Sequence, residues 1–365
     1  SIVLCYTKDF DFAKKVLFRA ININEQLENY RELAENHTEI ALVCEKAFDF
    51  ENSFLHKHKA VEFRKMFNDE IGTAKNYSNI GVTYCKCFDF ENARIFVEKS
   101  LMIYESYGIK SGIAKQNSTL GVINRNTSNY SKAVECHQKA IDLFTELEDV
   151  QPLIQSTGNL GLLYFFLSEY DKALKYLEHA LSLAYQINDK EAIAINLASI
   201  GNVFYNLHDS SNAMEYYTNA LQLHIENNDK HYESITLGNI GGVYLQKQDF
   251  DNAIFYFKNA LKIAEDLNIK YCLALHYGNL GLTYSLLDSF ETSIEYFHKS
   301  ISINNDIDDK NGLVSDYKYL GELYYKVNLY DLAFEYLSKS LQLSIDIKDK
   351  FNQMESLIRL TKLFE

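Results

Sequence analysis

Gly238-Asn239-Ile240-Gly241-Gly242 has the glycine content of a loop that wraps backbone amides around a phosphate. No Lys-Ser or Lys-Thr follows, and Gly241 falls at a position that recurs as glycine along the chain, so the segment reads as part of a helix-packing pattern. Cys85 and Cys87 stand two apart, as do His56 and His58. Side chains two apart on a helix splay to different faces, and neither pair has a second pair at zinc-like spacing, so no metal site is expected. The adjacent acids Asp308 and Asp309 are explained as capping residues of a turn. No catalytic constellation emerges, and neither an enzyme activity nor a cofactor is expected of this chain. What does recur is the carboxamide. Asn79, Asn159, Asn239 and Asn279, with Thr119, Ser199 and Tyr319 between and beyond them, share one position at forty-residue intervals. A carboxamide both donates and accepts, so a row of them can pair with both backbone groups of an extended peptide whatever its side chains are. Each such bond contributes about 1 kcal/mol net, so binding needs several together.

The elements that would hold such a row are set by the same interval. Glycine recurs at 81, 121, 161, 201, 241, 281 and 321, with no insertion or deletion. An aromatic residue follows three places later in nearly every unit, as Tyr84, Tyr164, Phe204, Tyr244, Tyr284 and Tyr324, and alanine recurs at 93, 133, 173, 213, 253 and 333. Ala173, Leu174, Leu177, Ala180, Leu181 and Ala184 repeat at the three-and-four spacing of one helix face. Each unit is therefore two helices, A then B, each roughly 27 Å long. Asp149, Asp189, Asp229, Asp309 and Asp349 are placed to cap A helices and Asp249 to cap a B helix. A glycine inside helix A costs about 1 kcal/mol relative to alanine, so its repetition requires a close approach of helix B. One pair cannot bury its apolar face alone, and stacked neighbours do it.

Of the 365 residues 47% are apolar and 24% charged, a globular composition, and no stretch approaches the ~18 uninterrupted apolar residues of a membrane span. The reading is of a soluble, cytoplasmic chain without membrane contact; no leader is visible, although Ser1 is not expected to be the native first residue. The 36 basic residues are scattered among 50 acidic ones, for a net charge of −14, which argues against nucleic acid and favours a basic partner. The six cysteines, at 5, 44, 85, 87, 136 and 272, are expected to be reduced, buried thiols.

The columns seen in Leu160-Gly161-Leu162-Leu163-Tyr164, Ala173, Leu177 and Ala180 resemble the tetratricopeptide repeat family. The family's usual proline near the end of helix B is missing, since Pro152 is the only proline. The forty-residue spacing, with Asn159-Leu160-Gly161 and Asn279-Leu280-Gly281, resembles the subgroup found in kinesin light chains, Leu-Gly-Asn adaptors and bacterial signalling proteins. The resemblance implies an all-α, right-handed superhelical solenoid in one domain, 1–365. Its complete pairs run at about 31–70, 71–110, 111–150, 151–190, 191–230, 231–270, 271–310 and 311–350, with partial units at 1–30 and 351–365. Phe351, Met354, Leu357, Ile358, Leu360, Leu363 and Phe364 make the last helix apolar where a terminal cap usually has a polar outer face, so a piece of a longer protein is expected. A capping helix over the final pair is the alternative. Partial units at both ends offer faces for end-to-end self-association.

In such arrays the A helices line the concave side, so the resemblance places the peptide-binding candidates there: Asn79, Asn159, Asn196, Asn202, Asn239 and Asn279, with Tyr205 and Phe166 as apolar contacts. His276 is expected on the same face as a single polar residue, and Lys75, Lys115 and Arg125, with Lys86 nearby, are candidates for an anionic ligand group. The expected function is a protein- or peptide-binding scaffold or sensory module. The alternatives are a bacterial peptide-pheromone receptor, or the regulatory region of an enzyme whose catalytic domain lies outside this chain.

Overall fold

The computed structural model describes residues 10–347 and 349–363; Ser1, Cys5 and Phe364, which carry expectations above, lie outside them. The chain forms two compact units, Ser1–Ile187 and Asn188–Glu365. In the first, the helices are α1 Phe10–Gln26, α2 Tyr30–Lys46, α3 Phe50–Met66, α4 Glu70–Lys86, α5 Phe90–Ser106, α6 Lys110–Asn126, α7 Tyr130–Glu146, α8 Val150–Phe166 and α9 Tyr170–Gln186. In the second they are α10 Lys190–Asn206, α11 Ser210–Glu226, α12 Lys230–Gln246, α13 Phe250–Leu267, α14 Lys270–Leu286, α15 Phe290–Asp306, α16 Lys310–Lys326, α17 Tyr330–Asp346 and α18 Lys350–Thr361. Within each unit every A helix except α18 packs most extensively against the B helix that follows it, as α8 does on α9 and α12 on α13, whereas α18 packs on α17 before it. This is the all-α stack of helix pairs that the periodicity predicts.

From α1 to α17 successive helices are joined by three residues of which the middle one is left-handed, as Ser168 at φ 59° and Gln248 at φ 59° are, except that two residues join α13 to α14, where Asn268 is the left-handed one. The amide of Ser168 donates to Phe165 O at 2.9 Å and that of Glu169 to Tyr164 O at 2.9 Å, which closes the last turn of α8. The next helix opens on a capping side chain where one is available. Asp189, Asp229, Asp249, Asp309 and Asp349 each accept from a first-turn amide, whereas Asp149 makes no such bond.

The glycine column is where each A helix meets its B helix. A Cβ built on Gly81, Gly161, Gly201, Gly241 or Gly321 would stand 2.5–2.7 Å from Val97, Leu177, Tyr217, Phe257 or Leu337, the residue sixteen places on. The aromatic three places after the glycine then stacks on a ring of the same B helix: Tyr164 on Tyr176 at 5.5 Å, Tyr244 on Tyr256 at 5.3 Å and Tyr284 on Tyr296 at 5.5 Å between centroids. In the α6–α7 pair Asn124 and Cys136 occupy those positions instead, in contact at 3.6 Å. Cys44 and Cys272 are buried thiols as expected, but Cys85 and Cys136 are half-buried, and Cys87, at the C-cap of α4, is exposed.

Two adjacent glycines of α12 give opposite expectations. Gly241→Ala drives a methyl to 2.7 Å from the Phe257 ring and should lower stability by about 1 kcal/mol, the overpacking cost exceeding the helix-propensity gain. Gly242→Ala meets nothing nearer than the Tyr205 hydroxyl at 3.6 Å and should raise it by about 0.5–1 kcal/mol. Urea unfolding of both variants checks the pair of signs.

Candidate functional site

Because one face of each A helix is pressed on its B helix and on its neighbours, a single stripe remains open. On α4 it runs through Ile71, Lys75, Asn79, Val82 and Lys86, spaced by three or four, while Ala74, Ile80, Gly81 and Thr83 between them are buried. The equivalent stripes are Lys115, Thr119, Val122 and Asn126 on α6, and Gln155, Asn159, Leu162 and Phe166 on α8. In the second unit they are Ile195, Asn202 and Asn206 on α10, Ile235, Asn239, Gly242 and Gln246 on α12, and Leu275, Asn279, Leu282 and Leu286 on α14.

In the first unit Asn79 and Asn159 are half-buried at their roots, and neither carboxamide has a hydrogen-bond partner among the described residues. Thr119 between them turns its hydroxyl back to Lys115 O at 3.1 Å. Lys75 and Lys115 are exposed and meet no carboxylate among the described residues, whereas Lys86 is held by Glu45 at 2.5 Å. Arg125 is half-buried with its guanidinium 5.7 Å over the Phe166 ring, which itself is 61% exposed. Burial lowers the Arg125 pKa from its ordinary value by taking the guanidinium out of water.

In the second unit the carboxamides are spent differently. Asn202 Oδ1 accepts from Tyr217 Oη at 2.7 Å and from Asn239 Nδ2 at 3.3 Å, which ties α10 to its own B helix and to the next A helix. Asn196 is buried and donates to Ala192 O of its own helix at 2.8 Å, so the structure turns it away from the stripe. Tyr205 packs among Ala213, Tyr217 and Val243, with its hydroxyl near Gly242. Only Asn279 of this set keeps a carboxamide without a partner among the described residues, because just its backbone oxygen is used, by Thr283. The half-exposed column Ile195, Ile235 and Leu275, one turn before the asparagines, was not singled out from sequence. Its phase in the forty-residue repeat is the signal that marks it, the same phase as Lys75 and Lys115.

A family description, tetratricopeptide repeat, matches residues 113–186 and 191–266, and a second of the same name matches 277–307. The chain is a tetratricopeptide-repeat protein. Among solved structures, the array is similar to a Rap protein complexed with competence and sporulation factor, at 16% identity and TM-score 0.60 over 92% of this chain and 99% of that one. It is also similar to the apo quorum sensor NprR from B. thuringiensis, at 15% identity and TM-score 0.62 over 92% and 99%. Aspartyl phosphate phosphatase F from Bacillus subtilis follows, at 16% identity and TM-score 0.65 over 78% and 73%. No curated protein sequence matches the chain.

Beneath the stripes of the tetratricopeptide array lies a buried polar column, offset by one residue: Asn76, Gln116 and Ser156 in the first unit, Asn196, Thr236, His276, Asp316 and Ser356 in the second. Several of its members join neighbouring helices. Gln116 Nε2 donates to Ser78 Oγ at 3.0 Å, Ser156 meets Ser118 at 3.1 Å, and Ser356 meets Ser340 at 3.0 Å. His276 belongs to this column and not to the open face: it is fully buried, with Nε2 2.9 Å from Ser234 Oγ, and burial pushes its imidazole down to about 4. Burial pushes the Asp316 carboxyl up to about 7, although Ser300 Oγ and Asn304 Nδ2 donate to it at 2.6 and 2.9 Å. Among the described residues no three His, Cys, Asp or Glu side chains converge as metal ligands, and no helix is long and apolar enough to cross a membrane.

A carboxyl with a folded value near 7 and an unfolded value near 4 adds stability that is complete below pH 4 and lost as pH rises through 7. His276 has the opposite sign, its contribution being present above pH 6.5 and lost as pH falls through 4, and it is common to wild type and variant. Relative to Asp316→Asn, the wild type should therefore lose about 1 kcal/mol per pH unit between pH 4 and 7, then change no further. Urea midpoints of the two proteins across that range check both the slope and its sign.

Proposed function

We propose that the array is a non-catalytic, cytoplasmic module that holds an extended segment of another protein along its A-helix stripes. The observation that carries this is the set of carboxamides without partners among the described residues at Asn79, Asn159 and Asn279. A half-buried carboxamide with no protein partner is a donor and acceptor held in place for a ligand, and its pairing with peptide groups tolerates many sequences. Around it the two units differ. Lys75 and Lys115 give the first a cationic margin suited to a carboxylate of the bound segment, and Ile195, Ile235 and Leu275 give the second an apolar one. At 15–16% identity the similar structures carry the fold and not the ligand, so the reading rests on these residues. The intracellular setting is supported by the free thiols, Cys87 among them.

The test separates ligand-facing from structural carboxamides. With a partner captured from the source lysate, Asn79→Ala/Asn159→Ala should weaken binding about thirtyfold, two bonds at about 1 kcal/mol each, with helicity and melting unchanged. Asn202→Ala should instead lower the melting temperature, since it strips the Tyr217 hydroxyl of its acceptor. Unaltered affinity in the double variant would remove the stripe from consideration.

A further inference from the structure

Within the second unit the A helices touch in sequence, α10 on α12 and α12 on α14. Packed helices stand ~8–10 Å apart, so a position that recurs in phase on them recurs at about that interval. One such position is apolar three times in succession: Ile195, Ile235 and Leu275, one turn before Ser199, Asn239 and Asn279. Ser315 and Glu355 follow in the same phase on α16 and α18, so the apolar run is three helices long. Two further groups stand beside it on α14. The Asn279 carboxamide has no partner among the described residues, and the Tyr271 ring, one turn before Leu275, is 54% exposed.

The apolar run and the carboxamide set separate conditions on what covers them, and one backbone conformation meets both. A β-strand shows the same face every second residue, ~6.8 Å, which is too short for the interval between helices. An α-helix can present apolar residues two turns apart, ~10.8 Å, but its backbone groups are bonded internally and leave the Asn279 carboxamide nothing to pair with. A polyproline II segment has three residues per turn at ~3.1 Å each, so the same face returns every ~9.3 Å, inside the range of the helix spacing. Its backbone makes no internal hydrogen bonds, so its N–H and C=O groups are open to Asn279. An exposed tyrosine ring such as Tyr271 gives the flat apolar surface on which a pyrrolidine ring packs.

We propose that the second unit reads a polyproline II segment of its partner protein with an apolar side chain at every third residue, the three set against Ile195, Ile235 and Leu275 in turn. This rests on the A-helix stripes being the binding face, and it adds the conformation and the sequence period of what they hold. The two residues between successive apolar ones turn away from the column, so proline is accepted there, and a proline directly after an apolar residue holds that residue extended. A segment whose backbone is already set loses little freedom on binding, which offsets the small number of hydrogen bonds the second unit offers.

Two labelled peptides of one composition test it: a tandem repeat of Leu-Pro-Ser about twelve residues long, and a counterpart in which Leu and Ser alternate ahead of a run of the prolines. In fluorescence anisotropy the tandem peptide should bind the wild type about tenfold more tightly than the alternating one, since only its leucines meet all three positions of the column. Ile235→Ser should abolish that preference, and Asn279→Ala should weaken the tandem peptide about fivefold, the loss of one backbone bond, with melting temperatures unchanged. If Ile235→Ser melts lower, Leu275→Ser, at a residue 37% exposed, takes its place. Equal binding of the two peptides, or a preference for the alternating one, would overturn the threefold register while leaving the stripes as the binding face. Binding of neither peptide would overturn it too, and the stripes would then be judged separately, by the captured partner and the Asn79→Ala/Asn159→Ala variant of the first unit.

Discussion

Everything in the array depends on how near helix A comes to helix B. The missing Cβ at Gly161 lets the Leu177 side chain lie against the backbone of α8, and the same replacement of side chain by backbone contact occurs at Gly201 with Tyr217 and Gly241 with Phe257. Such an approach fixes both the separation of the two axes and their rotation, because a large residue can enter only where the glycine is. Once rotation is fixed, so is the identity of the stripe left open on helix A. Lys75, Asn79 and Val82 face outward as a consequence of Gly81 facing inward.

What recurs in the sequence was readable from it. The glycine column, the aromatic ring that stacks three residues later, and most capping aspartates follow from a forty-residue period and from simple sterics. The carboxamides were readable as a column but not as individuals. Asn79, Asn159, Asn239 and Asn279 are equivalent in phase, yet Asn239 is taken by Asn202, which in turn accepts from Tyr217. At the Tyr217 position other pairs carry Lys57, Val97, His137, Leu177, Phe257, Phe297 or Leu337, so the hydroxyl that organises this tie exists in one of these pairs alone. Asn196 and His276 were misplaced for a different reason: one residue along a helix is a rotation of about 100°, enough to move a side chain from the open stripe to the buried column. The left-handed turns were readable only in part, since Gly108, Asn68, Asn188, Asn228, Asn268 and Asn328 suit that conformation whereas Glu, Phe and Gln at equivalent positions do not announce it.

The buried polar column explains how repeats that look interchangeable keep a definite order. Apolar layers of Leu, Ile and Ala would slide past one another at small cost, but a buried hydroxyl or carboxamide displaced from its partner loses a hydrogen bond it cannot replace with water. Gln116 with Ser78, Ser156 with Ser118, and Asp316 with Ser300 and Asn304 are chemically different locks at equivalent places. Each suits its own neighbour, so the stack is assembled from like parts joined by unlike keys.

The contact between glycine and the large residue sixteen places on has a bearing on heredity. It lies wholly inside one repeat, and the turns that bound each repeat share one backbone geometry, so a gene that gains or loses a whole repeat still encodes pairs that are complete in themselves. Phe48-Asp49-Phe50-Glu51-Asn52 and Phe88-Asp89-Phe90-Glu91-Asn92, identical and one repeat apart, are the kind of trace such a copying event leaves. Under that regime selection can lengthen or shorten the array while its pitch stays constant, as a ruler may gain divisions without changing their width. Each copy so added is one more complete pair with its own open stripe, and the sixteen-residue interval on which every pair is built is untouched.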